Sequence, residues 1–412
     1  MPRRALRFPP SASDVLVVAI HESDQGAVSP FFKAVDVDPA IAAVGLDELL
    51  EHLCLSQGSD LHVKVGARPH IRVGGRLEAT SFPMLVPADV ERMAAAVLVE
   101  DRAEEFARTN EADVAFSIGG LGRFRVNVYR QRGTVALVFR RVATLIPGFA
   151  ELGVPDVVGA LADEHRGLIL VTGPTGSGKT TTVAAMIDHI NHTRAVSVVT
   201  IEDPIEFVFN DDKALVNQRE VGSDTGGFAE AMRRVLRQDP DVIFIGEMRD
   251  PETVQAALAA AETGHLVLST LHTADAIETV NRIVDFFPSH QSRQIRLSLA
   301  TSLRGIVSQR LLERRDRQGR VPAVEVLLNT GRVADRIIDP SVGGDAISEI
   351  MADGAFYGMQ TFDQSLFALI RDGWVTVRDA MASATNPHDL RIALQRAGVL
   401  SPKATGTDLR LS

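Results

Sequence analysis

The chain has 412 residues, enough for two or three domains. Its formal net charge of −10 provides no overall attraction to nucleic acid or to acidic membrane surfaces, so we expect no nucleic-acid partner. Cys54 is the single cysteine, which excludes an intrachain disulfide and fits a reducing compartment.

The apolar runs of the sequence are short. The run from Val15 to Ile20 is followed at once by the polar residues His21-Glu-Ser-Asp24, and no run approaches the roughly 18 apolar residues of a spanning helix. We therefore expect a cytoplasmic protein with no direct membrane insertion, which reaches a membrane only through partners.

Residues 1–44 are weakly periodic and are expected to form a tail with at most one short strand. Residues 45–143 predict an α+β domain of antiparallel character. Its helices are predicted from Leu46 to Cys54 and from Pro87 to about Arg108. Gly74-Gly75 separates two alternating runs, which predicts a hairpin over 69–77. Further strands are predicted at 60–65, 113–118, 123–129 and 134–141.

Two prolines mark 144–156 as an interdomain linker, and strands alternate with helices from 157 onward. Strands are predicted at 168–171, 197–201, near 208, 215–218, 242–246 and 265–270, and helices at 180–191, 228–238 and 251–262. This alternation indicates an α/β domain over 157–398, with a mostly parallel sheet covered by helices. Residues 276–397 are predicted to be mainly helical, and 399–412 to be a second tail.

The pattern Gly-x-x-x-x-Gly-Lys-Thr follows the strand at 168–171 and opens the helix at 180–191. In that context the loop amides and the helix N-terminus bind phosphate oxygens. Lys179 is predicted to reach the β- and γ-phosphates of ATP, and the Thr180 hydroxyl to hold Mg²⁺. The predicted nucleotide-binding residues are Gly173, Pro174, Thr175, Gly176, Ser177, Gly178, Lys179, Thr180 and Thr181.

Three carboxylates, Glu202, Asp203 and Glu206, follow the strand at 197–201. A carboxylate at the carboxyl end of a parallel strand, beside an ATP site, can orient and deprotonate the attacking water. We expect at least one of the three to be catalytic. The alternative is a solvated acidic turn.

The strand at 242–246 ends in Gly246-Glu247, a variant of the Walker B pattern, in which many such strands end in Asp. Glu247 is expected to meet the Mg²⁺ shell through water, because Mg²⁺ keeps several of its waters. The alternative is a core strand with an exposed glutamate at its end.

His265 and His272 bracket the strand at 265–270. They are poor candidates for a metal site, because they do not share a helical turn and have no carboxylate or cysteine companions at ligand spacing. Sensing of the γ-phosphate or contact with a neighbouring subunit fits better. The alternative is a pair of satisfied core histidines.

The phosphate site has one evident cation of its own in the sequence, Lys179. Arg123, Arg125 and Arg140 lie on upstream predicted strands and are candidates for arginine fingers supplied by another domain or subunit. The alternative is a solvated arginine face.

Together these motifs resemble those of the secretion ATPase superfamily, the type II/IV secretion NTPases. The segment Thr200-Ile-Glu-Asp-Pro-Ile-Glu206 is similar to the Asp box of that superfamily. Gly246-Glu-Met-Arg-Asp250 is similar to its Walker B motif, and Gly264-His265 with Thr270-Leu-His-Thr273 to its His box. Over about 46–394 the chain is most similar to the PilT/PilU type IV pilus retraction motors.

The resemblance implies a RecA-like P-loop ATPase domain preceded by a smaller PAS-like domain, and a homo-hexameric ring. It assigns water activation to Glu206. It also implies ATP and Mg²⁺ as ligands, an inner-membrane pilus platform protein as partner, and a paralogous retraction ATPase as a further one. The expected location is the cytoplasmic face of the membrane, reached through the pilus machinery.

The subtype within this family stays open. Val333-Ala334-Asp335 stands where PilT carries an Ala-Ile-Arg motif needed for retraction, and Glu325-Val-Leu-Leu-Asn-Thr330 looks more like PilU. The segment Gly358–Gln364 is shared by both, and its Thr361 and Gln364 predict a helix capping box.

Three rival interpretations are weaker. Pilus assembly and type II secretion ATPases of the superfamily usually carry a four-cysteine zinc insert, and this chain has no cysteine after Cys54. A nucleic-acid translocase on a RecA-like core is disfavoured by the net charge. A non-hydrolysing regulatory subunit is disfavoured by the intact phosphate loop, Glu206 and Glu247.

Overall fold

The computed structural model describes residues 44–341 and 346–400, which form two compact units. The first unit contains the residues up to Phe116 and Arg125–Arg140. The second contains Ser117–Phe124 and the residues from Arg141 onward. The tail expected at 1–44, except Val44, and the last twelve residues lie outside the described part of the chain.

The first unit is built on a six-stranded sheet of order β3-β2-β1-β6-β5-β4, in which β1 pairs antiparallel with both β2 and β6. Its elements are α1 (Leu46–Leu55), β1 (Asp60–Lys64), β2 (His70–Val73), β3 (Arg76–Ala79), α2 (Pro87–Val97), α3 (Glu100–Thr109), β4 (Glu111–Ile118), β5 (Gly122–Gln131) and β6 (Thr134–Arg141). The tip of the β4–β5 hairpin falls in the second unit by its contacts.

The Gly74-Gly75 turn confirms the predicted hairpin between β2 and β3. Both glycines have positive φ, +54° and +82°, which L side chains rarely adopt. Helix α1 buries Leu49, Leu50 and Leu53 and packs against β1. The apolar spacing of this helix therefore places it on the sheet, as an amphipathic helix requires.

The single helix predicted from Pro87 to about Arg108 is wrong, because the chain breaks between α2 and α3. Leu98 and Val99 are extended, with ψ of 104° and 165°. Leu98 is buried, and Val99, which precedes α3, is 68% exposed. No glycine or proline marks this break, and a β-branched valine gives only a weak preference for extended backbone.

The second unit is built on a seven-stranded sheet of order β13-β12-β7-β11-β10-β8-β9. All neighbouring pairs are parallel except β12 with β13. Its strands are β7 (Gly167–Thr172), β8 (Ser197–Glu202), β9 (Leu215–Glu220), β10 (Val242–Ile245), β11 (Leu266–Leu271), β12 (Leu303–Glu313) and β13 (Arg320–Leu328). The predicted α/β class with a mostly parallel sheet is confirmed.

Helices cover both faces of this sheet. They are α4 (Phe149–Leu152), α5 (Val157–Ala162), α6 (Lys179–Thr193), α7 (Phe228–Val235), α8 (Pro251–Glu262), α9 (Ala276–Asp285), α10 (Ser292–Ser302), α11 (Gly331–Ile338), α12 (Ile347–Asp353), α13 (Phe362–Arg371), α14 (Val377–Ser383) and α15 (Pro387–Arg396), with 3-10 turns at Ser289–Gln291 and Gly354–Tyr357. The predicted capping box starts α13: Gln364 N donates to Thr361 Oγ1, and Thr361 N donates to Gln364 Oε1.

Two predictions for the second unit need correction. Residues 303–328 form the long hairpin β12–β13 inside the part predicted to be mainly helical. The strands were not predicted because both of their faces are buried and polar residues do not alternate regularly along them. The strand expected near Val208 is only an isolated bridge between Phe207 and Ala143, with Val208 N donating to Ala143 O.

The core of the second unit lies on both faces of β7. Leu168 and Leu170 join a cluster with α8, α9 and α10, whereas Ile169 and Val171 join one with α5 and α6. Every residue of β7 is buried, as expected for a central parallel strand. Within the described residues, no helix is both long and apolar enough to cross a membrane.

A buried carboxylate, Glu325 on β13, supports the first turn of α9. Its Oε1 accepts the Ala276 amide proton at 2.9 Å, and the side chain is 5% exposed. Burial raises the pKa of Glu325 to about 7, although the Ala276 amide opposes this effect. The unfolded chain ionises first as pH rises from 4.5 to 7, so folding stability is lost across that window.

We therefore expect Glu325→Gln, which keeps an acceptor for Ala276 N, to stabilise the protein relative to wild type by up to about 3 kcal/mol above pH 7. The difference should shrink as pH falls from 7 to 4.5 and approach zero below pH 4.5, where the glutamate is protonated in both states. Urea unfolding of both proteins from pH 4.5 to 8 measures it. Glu313→Gln, an exposed change on β12, is the control, and a pH-independent gain for Glu325→Gln would contradict the prediction.

Candidate active site

The strand order of the second unit brings the four polar segments together. Strands β7, β11, β10 and β8 are consecutive neighbours and run parallel, so their carboxyl ends lie at one edge. The phosphate loop follows β7, His272 follows β11, Glu247 follows β10 and the acidic segment follows β8. Ligands bind at this edge in open α/β sheets.

The phosphate loop is shaped by glycines at its two ends. Gly173 has φ of +141°, and a Cβ there would lie 2.3 Å from Gln309 O of β12. Gly178 has φ of +90° and precedes α6, whose first residue is Lys179. A side chain at Gly173 is therefore excluded by backbone, and the loop must turn directly into the helix N-terminus.

Lys179 is buried, at 6% exposed, and points back into the loop. Its Nζ donates to Gly173 O at 2.8 Å and to Pro174 O at 3.1 Å. Burial lowers the pKa of this amine, and the nearby Glu247 carboxylate opposes that effect. The carbonyl groups of the loop thus hold the ammonium group inside it.

The acidic segment after β8 separates a buried carboxylate from an exposed one. Glu202 is 4% exposed; its Oε1 accepts from Thr200 Oγ1 at 2.7 Å and from Gln218 Nε2 at 3.1 Å. Its Oε2 lies 3.4 Å from Glu206 N, which donates to it. Burial raises the pKa of Glu202, although these hydrogen bonds oppose it. Glu206 is exposed and lines a cavity at the strand ends.

A chain of polar side chains runs across the ends of β10 and β11. His272 lies with Nδ1 3.5 Å from Lys179 Nζ and Nε2 3.2 Å from Glu247 Oε2. Glu247 also pairs closely with Arg249, whose guanidinium reaches to 4.0 Å from Asp203. His272 thus links the phosphate-loop lysine to the carboxylate after β10.

These groups line one cavity of about 530 Å³. Of the predicted site residues, it is lined by Thr175, Gly176, Gly178, Lys179, Thr180, Thr181, Glu202, Asp203, Glu206, Glu247 and His272. It is also lined by Arg249, Arg320 and Leu311, which we did not predict as site residues. Arg249 could have been found, since it is two residues from Glu247. Arg320 and Leu311 come from the missed hairpin β12–β13.

His265 is not brought to this cavity. It precedes β11, whereas His272 follows it, and its Nδ1 lies 3.0 Å from Ala260 O and 3.3 Å from Thr263 Oγ1. His265 and His272 of the same chain therefore do not both lie near the phosphate site, and only His272 does. The six residues of β11 put the two ends about 20 Å apart.

The three candidate arginines do not all belong to the same unit. Arg123 belongs to the second unit, where its guanidinium lies 3.1 Å from Glu220 Oε2. Arg140 belongs to the first unit and donates from Nε to Asp60 Oδ1 at 2.8 Å. Arg125 is also in the first unit and is half-buried. Among the described residues that line the cavity, none is one of these three.

Comparison with known proteins identifies the family. The model of the family "Type II/IV secretion system protein" matches residues 130–365, more than half of the chain. The chain belongs to this family.

Individual members of the family match along almost their whole length. The type IV pilus retraction ATPase PilT of Pseudomonas aeruginosa is 42% identical over 344 residues, which cover 84% of this chain and 99% of PilT. The type IV pilus ATPase PilU of the same organism is 40% identical over 349 residues, covering 85% and 91%. A crystal structure of the pilus retraction motor PilT with bound ADP matches with a TM-score of 0.76 and 45% identity, covering 85% of this chain and 99% of that one. The resemblance inferred from the motifs is confirmed.

As a secretion-family member, the chain is a P-loop ATPase, and the site fits a nucleotide. The Ser177 hydroxyl in the phosphate loop is buried and has no hydrogen-bond partner within the described residues. The Lys179 ammonium lies inside the same loop. A buried unpaired donor beside a cation, at a helix N-terminus, suits an anionic phosphate.

The same loop fits Mg²⁺ through Thr180 and Glu247, which both line the cavity. Mg²⁺ takes oxygen ligands and keeps several of its waters, so the Thr180 hydroxyl could bind it directly and the Glu247 carboxylate through water. Bound there, the ion would neutralise charge on the β- and γ-phosphates. The residues of the chain have the remaining tasks: binding, orienting water and moving its proton.

Proposed function

We propose that this chain is the ATP-hydrolysing motor of type IV pilus retraction, the activity that withdraws pilin subunits and drives twitching motility. The main support is its correspondence to PilT at 42% identity over 99% of that protein. The cavity adds a phosphate-binding loop, carboxylates and a histidine at the strand ends of the second unit. A second secretion-family function would have to use the same groups.

In the proposed reaction, Lys179 and the loop amides hold the β- and γ-phosphates, and Thr180 directly and Glu247 through water would hold Mg²⁺. Glu206 orients a water molecule for in-line attack on the γ-phosphorus and accepts its proton. Its exposure in the cavity supports this choice over Glu202, whose two oxygens face protein donors. His272, between Lys179 and Glu247, is placed to respond to the γ-phosphate.

We further propose a homo-hexamer in which residues 45–143 and 157–398 act as separate domains joined by 144–156. Arginines of one subunit, with Arg125 and Arg140 as candidates, would supply positive charge to the nucleotide of the next. His265, at the other end of β11 from His272, would serve a subunit contact. An inner-membrane platform protein and a paralogous retraction ATPase are the proposed partners, at the cytoplasmic face of the membrane.

The segment Val333-Ala334-Asp335 bears on whether this motor retracts alone. It lies on α11, where Val333 is buried in the core and Asp335 is exposed. By the resemblance, Asp335 stands where the Ala-Ile-Arg motif has its arginine, so the charge of an exposed site would be reversed. A PilU-like motor that works beside a second ATPase is therefore the second candidate function.

Deletion of the gene in the source organism should give hyperpiliated cells that do not twitch, because pili are still assembled but not withdrawn. Surface pili counted by electron microscopy and twitching zones on agar measure this. Complementation with wild type should restore motility, whereas complementation with Lys179→Ala should not. Bald cells would instead indicate an assembly ATPase. An effect seen only when a second retraction ATPase is also deleted would indicate the PilU-like role.

A further inference from the structure

Four buried hydroxyl groups lie behind the phosphate loop, and the proposed hydrolysis does not use them. They belong to Thr172, Thr273, Thr279 and Ser308, and none is more than 4% exposed. The oxygens of Thr172 and Ser308 are 2.9 Å apart, and those of Thr273 and Thr279 are 2.6 Å apart. Thr279 Oγ1 lies 3.5 Å from Thr172 Oγ1, so the two pairs form one cluster.

Two members of the cluster are neighbours in sequence of residues in the candidate site, one at the phosphate loop and one at His272. Thr172 is the last residue of β7 and immediately precedes Gly173 of the phosphate loop. Thr273 immediately follows His272, the residue between Lys179 and Glu247. A hydroxyl that fixes Thr273 against Thr172 therefore also fixes the backbone of His272 relative to the loop.

Helix α9 provides a rigid base for this contact. Thr279 lies in its first turn, and its hydroxyl also donates to Asp275 O at 2.6 Å. Asp275 caps the helix by accepting from Glu278 N at 2.8 Å. Ala276 N donates to the side chain of Glu325. Glu325 lies opposite Ser308 in the antiparallel register of β12 and β13. The first turn of α9 is thus attached to the sheet at Ala276 and at Thr279.

This polar patch stands out from the rest of the helix. On the same helix Val280, Ile283 and Val284 are buried in an apolar cluster, which is enough to pack α9 on the sheet. Buried hydroxyls add little to stability but are costly when unpaired, so a paired set favours one arrangement over others. The cluster is therefore suited to fixing the relative positions of the residues that carry these hydroxyl groups.

We propose that Thr279 is a positioning residue for ATP hydrolysis: its hydroxyl holds Thr273 and, through it, keeps His272 between Lys179 and Glu247. The inference rests on the role proposed for His272. Small displacements of groups near the reacting phosphate lower turnover, whereas nucleotide affinity depends mainly on the loop amides and Lys179. Loss of the Thr279 hydroxyl should therefore lower kcat more than it changes KM.

Thr279→Val keeps the shape of the side chain and removes the hydroxyl, whereas Thr279→Ser keeps the hydroxyl. We expect Thr279→Val to lower kcat about tenfold with KM changed by no more than about twofold, and Thr279→Ser to recover most of the activity. Thr301→Val, an exposed change on α10, is the matched control. Steady-state phosphate release measures each variant, and thermal unfolding checks its fold.

A double-mutant cycle with His272→Ala separates positioning from a general structural effect. If Thr279 acts through His272, Thr279→Val should cause no further loss of kcat in the His272→Ala background. An equal loss in both backgrounds, or wild-type turnover in Thr279→Val, would overturn the inference. If Thr279→Val had wild-type turnover but His272→Ala were impaired, the role proposed for His272 would still hold. A fully active His272→Ala variant would contradict both the role proposed for His272 and the positioning role of Thr279.

A second variant covers the case in which Thr279→Val does not fold. Thr273→Val removes the partner hydroxyl at the other end of the same 2.6 Å contact, and Thr273→Ser restores it. The same fall in kcat, with the same dependence on His272, is expected for Thr273→Val. Unchanged turnover in folded Thr273→Val protein would overturn the inference equally.

Discussion

Lys179→Ala should abolish ATP turnover, with kcat/KM reduced by at least about 10³-fold. Lys179 is the cation held inside the phosphate loop, where its Nζ contacts Gly173 O and Pro174 O. Arg249 and Arg320 also line this cavity, and Arg249 is already paired with Glu247. Its position makes Arg249 a poor substitute for a charge beneath the β- and γ-phosphates.

Steady-state phosphate release and titration with a fluorescent ATP analogue measure the loss of turnover and of binding separately. Lys213→Ala, an exposed lysine in the same unit, is the matched control and should behave as wild type. A Lys179→Ala protein that is folded and retains turnover within tenfold of wild type would show that the loop does not bind the reacting phosphates.

Glu206→Gln should bind ATP with nearly unchanged affinity and hydrolyse it about 10²–10⁴-fold more slowly, because the amide cannot accept a proton from water. Glu206 is the exposed carboxylate of the acidic segment and faces the cavity. Glu202, by contrast, accepts from Thr200 and Gln218 and from the amide of Glu206. The two glutamates therefore lie in different surroundings, which is why the proposal assigns water activation to Glu206.

Glu202→Gln is the informative comparison for this variant. It keeps one of the two acceptor oxygens, which can still serve Thr200 and Gln218, so we expect a smaller fall in kcat than for Glu206→Gln. Single-turnover hydrolysis with radiolabelled ATP, beside equilibrium binding, measures both proteins. If Glu206→Gln turned over at the wild-type rate, its assignment as the base would be wrong. If Glu202→Gln alone were inactive, the base would be Glu202.

Much of this site was predictable because parallel strands end at a common edge. Motifs as far apart in sequence as the phosphate loop, Glu206, Glu247 and His272 follow four neighbouring strands, so their convergence could be expected from the strand pattern. The position of His265 was predictable too, since a strand of six residues cannot bring both of its ends to one site.

Other features had no local signal. Strands β12 and β13 are largely buried on both faces, and β12 includes buried polar residues such as Ser308 and Gln309, so neither alternation nor an apolar run marks it as a strand. Their contribution of Arg320 and Leu311 to the cavity was therefore missed with them. The break after Val97 lacks any glycine or proline. The hydroxyl cluster around Thr279 joins residues more than one hundred positions apart, and only the fold brings them together.

The close approach of Gly173 to Gln309 O limits how the phosphate loop can be transplanted. The eight-residue pattern looks like a portable module, but its first glycine is required by a carbonyl group on β12, 136 residues later in the chain. A designed protein that received the loop without an equivalent of β12 would lack this neighbour, and the loop would be free to take other shapes. The functional unit for grafting is therefore the loop together with the strand beside it.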